Sequence, residues 1–380
     1  MHKHKQSQCK RKVKHRKSVM VLLIFCITVC IAFMFAYYQN LKKEIAVRQE
    51  WLETVLPREK KWILENQGPE GEIYMNGSKA GDVNPYFACM AALGLLAETK
   101  NCPMTETEQK AVGRYLDWHT GILLETDGKM GVYRKEGGKL TYKEKADSED
   151  GYLGMYLFLM GKYLEKTEST DLPESWKKGI SLALKKIQSL MQDGITQVSE
   201  ENTTVYLMDN LEVWKGLYEL ELAGLEDTQA IREMRKKIQE QIEKIFWDDA
   251  NQRWRIIGNS DRYHQTEFYP DGVAQIYPLI YEFPVKEKKK QKVLYEQFTE
   301  RFQWQKLKRT GFVWAITGMA AAQIRDIDNL VEFIGNYETE YCKERKYPLY
   351  TGEAGWICME CEKLYGLYER KIRTAFIPWI

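Results

Sequence analysis

The sequence predicts an all-α protein in which six helical hairpins form a ring, inner helices alternating with outer ones, behind a single N-terminal transmembrane helix. Three observations carry this expectation. An aromatic or acidic loop opens an apolar, small-residue-rich helix six times along the chain, and an amphipathic, charged helix leads to each such loop. A charge-free apolar stretch precedes the series, and no long Pro/Gly/Ser linker interrupts it. The openings are Asn84-Pro85-Tyr86-Phe87, Asp147-Ser148-Glu149-Asp150-Gly151-Tyr152, Met208-Asp209-Asn210, Phe268-Tyr269-Pro270-Asp271, Gly311-Phe312-Val313-Trp314 and Gly352-Glu353-Ala354-Gly355-Trp356. In such a ring all six gather at one end, around one cleft.

In chain order, residues 1–18 are a basic tail, with Lys3, Lys5, Lys10, Arg11, Lys12, Lys14, Arg16 and Lys17 ahead of any acidic residue. Residues 19–38 carry no charge and, at about 1.5 Å per residue, just span a ~30 Å hydrocarbon core. The basic flank predicts a cytoplasmic N-terminus and an extracellular main domain. A cleaved signal peptide shares the charged start, but this stretch exceeds the roughly 7–15-residue apolar core of such a peptide. Removing the tail's charge from the net +2 leaves a slightly acidic remainder, which excludes a nucleic-acid surface on the main domain.

The main domain is read as residues 44–380. Leu41 to Gln67 is amphipathic, with a pause at Pro57, and forms the first outer helix. Asn84 caps the first inner helix and Pro85 takes its first position, where no amide hydrogen is needed. Thr105 to Leu123 is outer; Asp127 to Lys143 alternates around Gly137-Gly138 and predicts a β-hairpin. Ser148 to Glu165 is inner, Pro173 to Met191 outer, Tyr206 to Ala223 inner and Asp227 to Phe246 outer; Trp247 to Trp254 reads as a turn between short extended pieces. Asp271 to Tyr281, Val285 to Phe302, Gly311 to Ile324, Asp326 to Lys343 and Thr351 to Arg370 complete twelve helices. The Lys286-Glu287-Lys288-Lys289-Lys290 run reads as a solvated outer face.

Eight cysteines in 380 residues do not make a disulfide scaffold. Cys358 and Cys361 invite a metal or redox reading, but no second Cys pair or His lies nearby in sequence; core packing, or a disulfide with Cys342, is expected instead. His119 and His264 are the only histidines outside the tail, which excludes a multi-His metal centre and a His-centred triad. No phosphate-cradling glycine loop is present. Neither metal nor cofactor is expected.

The twelve alternating helices and their openings resemble the (α/α)6-toroid, or six-hairpin glycosidase, superfamily over nearly everything after the anchor. Ala146 to Leu157 is similar to the acidic inner-helix signature of glycoside hydrolase family 8, with Ser148 where that signature has its first Asp and Asp150 on its second. The departure is in the first inner helix. Family 8 enzymes carry a general-acid Glu before a Gly-Tyr-Gly-Met run, whereas here Asp82-Val83-Asn84-Pro85-Tyr86-Phe87 supplies Asp82 as the nearest carboxylate.

The resemblance implies hydrolysis of a glycosidic bond by paired carboxylates, one protonating the leaving oxygen and one activating water or attacking the sugar. Asp150 and Asp209 are the leading candidates, followed by Asp82 and Asp271; Asp147, Glu149 and Glu353 share the same helix starts, where capping alone accounts for an acid. Tyr86, Tyr152, Tyr269, Trp314 and Trp356 are expected as aromatic platforms for sugar faces, and Asn210 as an amide for a sugar hydroxyl. The expected partner is a cell-surface or secreted polysaccharide, with the membrane reached through the N-terminal helix. A catalytically silent glycan-binding or envelope-assembly toroid is the alternative. A polysaccharide lyase, using Arg262 and Tyr263, is a third reading, and a terpene cyclase, on the faint echo in Asp147 to Asp150, ranks last.

Overall fold

The computed structural model describes residues 2–77, 81–136, 139–169, 171–225, 228–258, 267–307, 312–346 and 349–375, with side chains from residue 20 onward. The chain divides into two compact units, Met1–Leu52 with Tyr368–Ile380, and Glu53–Leu367.

In the first unit the helix α1 (His2–Glu65) runs without a break through both the apolar stretch and the amphipathic segment. From Met20 onward it is long and apolar enough to cross a membrane, a property that a signal sequence shares. Phe25 and Phe33 project from it, 64% and 72% exposed. The pause expected at Pro57 is absent: Pro57 lies within α1, in the part belonging to the second unit, and Val55, Leu56 and Ile63 around it are fully buried. Burial of those side chains outweighs the hydrogen bond that proline removes.

The second unit alternates buried and amphipathic helices as the sequence predicts. Inner helices are α2 (Pro85–Leu96), α4 (Glu149–Thr167), α6 (Leu207–Leu222), α8 (Val273–Ile280), α10 (Thr317–Ile324) and α12 (Thr351–Thr374). Outer ones are the end of α1, α3 (Glu106–Glu125), α5 (Glu174–Leu190), α7 (Thr228–Phe246), α9 (Lys288–Phe302) and α11 (Ile327–Tyr341). Asn84 accepts a hydrogen bond from the Tyr86 amide at 2.9 Å, so the expected cap on α2 forms. Thr105 and Glu108 make a reciprocal capping box on α3, and Ser148 caps α4 through the Gly151 amide.

Small residues set the inner spacing. A Cβ on Gly154 of α4 would lie 2.7 Å from the Val213 amide nitrogen of α6, and one on Gly94 of α2 would lie 2.4 Å from Gly355 Cα of α12. The backbones of these pairs touch, and no other residue fits. Successive inner helices α2, α4, α6, α8 and α10 pack side by side. A Cβ on Gly318 of α10 would in turn meet the Glu360 carboxyl of α12 at 2.3 Å. Among the outer helices, buried Glu59 of α1 accepts Tyr337 Oη of α11 at 2.8 Å and pairs with Arg345, while Lys60 meets Glu108 of α3 at 3.0 Å.

The hairpin forms as β2 (Gly131–Glu136) and β3 (Lys139–Lys145), joined on its other edge by β1 (Asp82–Val83). Two short pairs follow, β4 (Met191–Gln192) with β5 (Ile195–Thr196), and β6 (Trp247–Asp248) with β7 (Arg253–Trp254), the latter at the turn expected there. Of the two accounts expected for Cys358 and Cys361, the disulfide with Cys342 does not form. The Cys342 thiol faces Glu59 at 3.5 Å, while Cys358 and Cys361 are buried and unpaired, so core packing accounts for them.

The fourth and fifth openings depart from plain helix starts. A π-helical turn, Phe268–Gly272, precedes α8. Before α10, residues 312–316 stay outside the helix because Glu353 of α12 accepts the amides of Trp314 (3.2 Å) and Ala315 (2.6 Å), and Trp314 sits at a left-handed φ of 59°.

Candidate active site

One cavity of about 360 Å³ receives side chains from all six inner openings. Asn84 and Tyr86 come from α2, Asp147, Ser148 and Tyr152 from α4, Asp209 and Glu212 from α6, Tyr269 and Tyr277 from the fourth opening and α8, Phe312 and Trp314 from the fifth, and Glu353 and Trp356 from α12. Its ionisable carboxylates are Asp147, Asp209, Glu212 and Glu353, and no Lys or Arg is among the described lining residues.

Asp209 and Glu212 are three residues apart on α6, so both project on one helical face. Glu212 is 2% exposed, and its Oε1 sits among three phenols: Tyr86 Oη donates to it, as do Tyr277 Oη at 3.0 Å and Tyr281 Oη at 3.3 Å. Burial pushes the Glu212 carboxyl up to about 8, while hydrogen bonds from Tyr86 and Tyr277 favour its anion and hold it from rising further. Its Oε2 lies toward the start of α4, where a Cβ on Gly151 would stand only 2.8 Å away.

Asp209 is half-buried. Burial, then the neighbouring charges of Asp150 and Glu212, push its carboxyl well above the ordinary range. Ser148, beside it in the cavity lining, donates its hydroxyl to Asp150 Oδ1 at 2.8 Å. Asp150 itself is fully buried behind the cavity, where it accepts the Gly151 amide at 3.0 Å and meets the Thr196 hydroxyl at 2.7 Å. Burial raises it to about 6 against those three hydrogen bonds.

The structure thus brings together Asp209, Tyr86, Tyr152, Tyr269, Trp314 and Trp356 from the expected set. Tyr269 is 51% exposed and its ring lies 4.6 Å from that of Trp314, a tilted pair at the cavity edge. Tyr86 and Tyr152 face each other at 5.6 Å. Trp356 and Tyr152 are 2% and 3% exposed, so they wall the hollow more than they offer an open platform.

Four expected residues stand elsewhere. Asp150 supports the cavity from behind, as described. Asn210 is fully buried, its amide bonded to the Thr196 backbone in both directions (2.8 and 3.0 Å), which leaves nothing for a sugar hydroxyl. Asp82 lies on β1, clamped by Arg134 (2.6 and 3.0 Å) and Lys143 (2.8 Å); the Arg134 hydrogen bonds hold its carboxyl below the ordinary range, so it has no proton to donate. Asp271 is buried, accepts the Glu267 amide at 3.1 Å and faces a different cavity. Arg262, Tyr263 and His264 fall outside the described residues. His119 is buried against Tyr115 and Cys89, and burial lowers it to about 3, a neutral core histidine. Glu353 lines the cavity while holding the Trp314 loop, and burial raises it to about 7.

Glu212, Tyr277 and Tyr281 are the site residues that sequence reasoning missed. A signal existed: Glu212 is an ionisable residue between Leu211 and Val213 on an inner helix, one turn after Asp209, and Tyr277 and Tyr281 recur at four-residue spacing on another.

No protein-family model and no curated protein matches the sequence. Solved structures do match in fold. A glycosidase variant in complex with glucose aligns with 11% identity over 86% of this chain and 98% of its own, at a TM-score of 0.58. A novel α-amylase from Clostridium perfringens aligns at 12% identity over 80% and 97%, TM-score 0.53. An inactive variant of an α-1,6-mannanase of Salegentibacter sp. HEL1_6, in complex with α-1,6-mannotetrose, aligns at 11% over 83% and 99%, TM-score 0.55. The chain therefore has a glycosidase-like, six-hairpin fold.

Proposed function

We propose that this protein is a membrane-anchored glycoside hydrolase, its six hairpins closed into an (α/α)6 ring spanning residues 44–380, that cleaves a cell-surface or secreted polysaccharide outside the cytoplasm. The observation that carries the reading is the pair Asp209 and Glu212, side by side on α6 and facing a cavity fed by every inner opening. Asp209, whose proton is held by burial and by two neighbouring carboxylates, protonates the leaving oxygen. Glu212, whose anion is favoured by phenol donors, activates water or attacks the sugar. Tyr269 and Trp314 at the edge supply apolar area for a sugar face.

Closure of the ring is supported by the α2–α12 contact at Gly94 and Gly355 and the α10–α12 contact at Gly318 and Glu360. Anchoring is supported by the exposed apolar side chains of α1 after its basic start.

The test is to incubate the full-length chain in detergent with a panel of polysaccharides and measure new reducing ends. Release that disappears in Asp209→Asn and Glu212→Gln supports the reading. Release that survives in both variants removes these residues from the chemistry, and absence of release across the panel with retained glycan binding leaves a silent binder instead.

A further inference from the structure

Four aromatic rings from three openings form a continuous wall of the cavity that Asp209 and Glu212 share. Phe87 of α2 stacks on Phe312 at 5.6 Å and 18°, Phe312 meets Trp314 edge-on at 6.0 Å, and Trp314 meets Tyr269 at 4.6 Å. Tyr269 and Phe312 are 51% and 37% exposed, so the wall opens to solvent at its edge.

The two middle rings stand on residues 312–316, outside α10. Trp314 sits there at a φ of 59°, a left-handed conformation that a bulky side chain disfavours and that only surrounding contacts can impose. Thr317 fastens one side of this turn, its amide and hydroxyl both donating to the Trp314 carbonyl, at 3.0 and 2.8 Å. Glu353 of α12 fastens the other: Oε1 accepts the Trp314 amide at 3.2 Å and Oε2 the Ala315 amide at 2.6 Å. Two amides leaving one turn need two acceptors at a fixed spacing, and a carboxylate carries both on a single side chain. Glu353 is 6% exposed and lines the cavity, yet each of its oxygens already accepts a backbone amide.

We propose that Glu353 is a positioning residue that fixes the Trp314 turn, so that Phe312 and Trp314 complete the four-ring wall, and thereby sets affinity for the apolar face of a glycan chain. It takes no part in bond cleavage. Rings aligned before the sugar arrives bind it without the cost of ordering them, whereas a released turn must be ordered anew at each encounter. Such a release leaves Asp209 and Glu212 on α6 untouched. The inference rests on the same cavity as the hydrolase reading and assigns Glu353 to binding rather than to chemistry.

The test is a double-mutant cycle on the full-length chain in detergent, with the polysaccharide of the panel that yields new reducing ends. Glu353→Gln keeps the shape but turns an NH2 group toward one of the two amides, so one hydrogen bond is lost. It is expected to raise KM about tenfold with kcat within about twofold of the parent, as is Trp314→Ala. The double variant is expected to raise KM no further than Trp314→Ala alone, because Glu353 acts through Trp314. Should Glu353→Gln fail to fold, Glu353→Asp, which keeps both oxygens but shortens their reach, takes its place in the cycle. A fall in kcat of about tenfold or more, a KM like the parent's, or additive effects in the double variant overturns the proposal. If no polysaccharide is cut, the same cycle is read as retardation in native gels containing each polysaccharide. Retardation weakened by both single variants, and no further by the double, sinks the hydrolase reading and leaves this one standing; no retardation by any polysaccharide overturns both.

Discussion

Tyr86 donates a hydrogen bond to Glu212 Oε1 across 126 residues of sequence, joining the first inner helix to the third at the floor of the cavity. Tyr277 and Tyr281 reach the same oxygen from the fourth. The three donors offset part of the cost of burying the anion and fix the carboxylate in direction, and water activation needs both.

Phenol donation favours the charged form of Glu212, so its removal raises the proton affinity of that carboxylate. Activity requiring ionised Glu212 rises with pH through about 8. In Tyr86→Phe that acidic limb moves to higher pH and activity at neutrality falls. A pH–rate profile of parent and variant checks the direction.

Asp150 acts on Asp209 through its charge. Asp150→Asn removes a neighbouring anion, which lowers the proton affinity of Asp209 and moves the basic limb of the pH–rate profile to lower pH. Asp209→Asn, by contrast, is expected to cost about 10²–10⁴ in rate. A shifted limb with substantial activity distinguishes the supporting residue from the proton donor.

The buried acids also govern stability. Asp150, Glu212 and Glu353 all bind protons more tightly when folded, at about 6, 8 and 7. The folded chain therefore holds more protons than the unfolded one from the ordinary carboxylate range up to those values, and stability falls as pH rises through that window. Each pK unit corresponds to about 1.4 kcal/mol as an upper bound. Glu212→Gln, which cannot ionise, is expected to flatten the loss between about pH 5 and pH 8, read as unfolding temperature against pH.

Gly151 and Gly94 test close approach. Gly151→Ala places a methyl 2.8 Å from Glu212 Oε2 and 2.9 Å from Ser148 Oγ, so activity drops because the carboxylate must turn. Gly94→Ala meets backbone rather than a side chain, at 2.4 Å from Gly355 Cα. It is expected to destabilise by about 1–3 kcal/mol or more, since two helices must separate. Thermal unfolding of both variants alongside their activity separates the two effects.

Much of the fold was legible because it rests on local chemistry. Asn84, Pro85, Thr105, Glu108 and Ser148 mark helix starts through their own side chains, and the apolar inner runs keep their period along the chain. Legibility ended where distant segments decide the backbone: no local signal tells that Glu353 will hold Trp314 and Ala315 out of α10, or that Pro57 will sit in an unbroken helix.

At the site, the sequence by itself determined that six aromatic or acidic openings exist; of the residues expected to meet there, Asp209 and the five rings line the cavity, and Asp82, Asp150, Asp271 and Asn210 do not. Only the tertiary structure decided which acids keep protons. Asp82 and Asp209 look alike as acids near inner-helix starts, yet one lies beside Arg134 and Lys143 and the other beside Asp150 and Glu212. Proton affinity depends on burial and on charges a few ångströms away, and those neighbours come from parts of the chain that periodicity and capping rules do not connect.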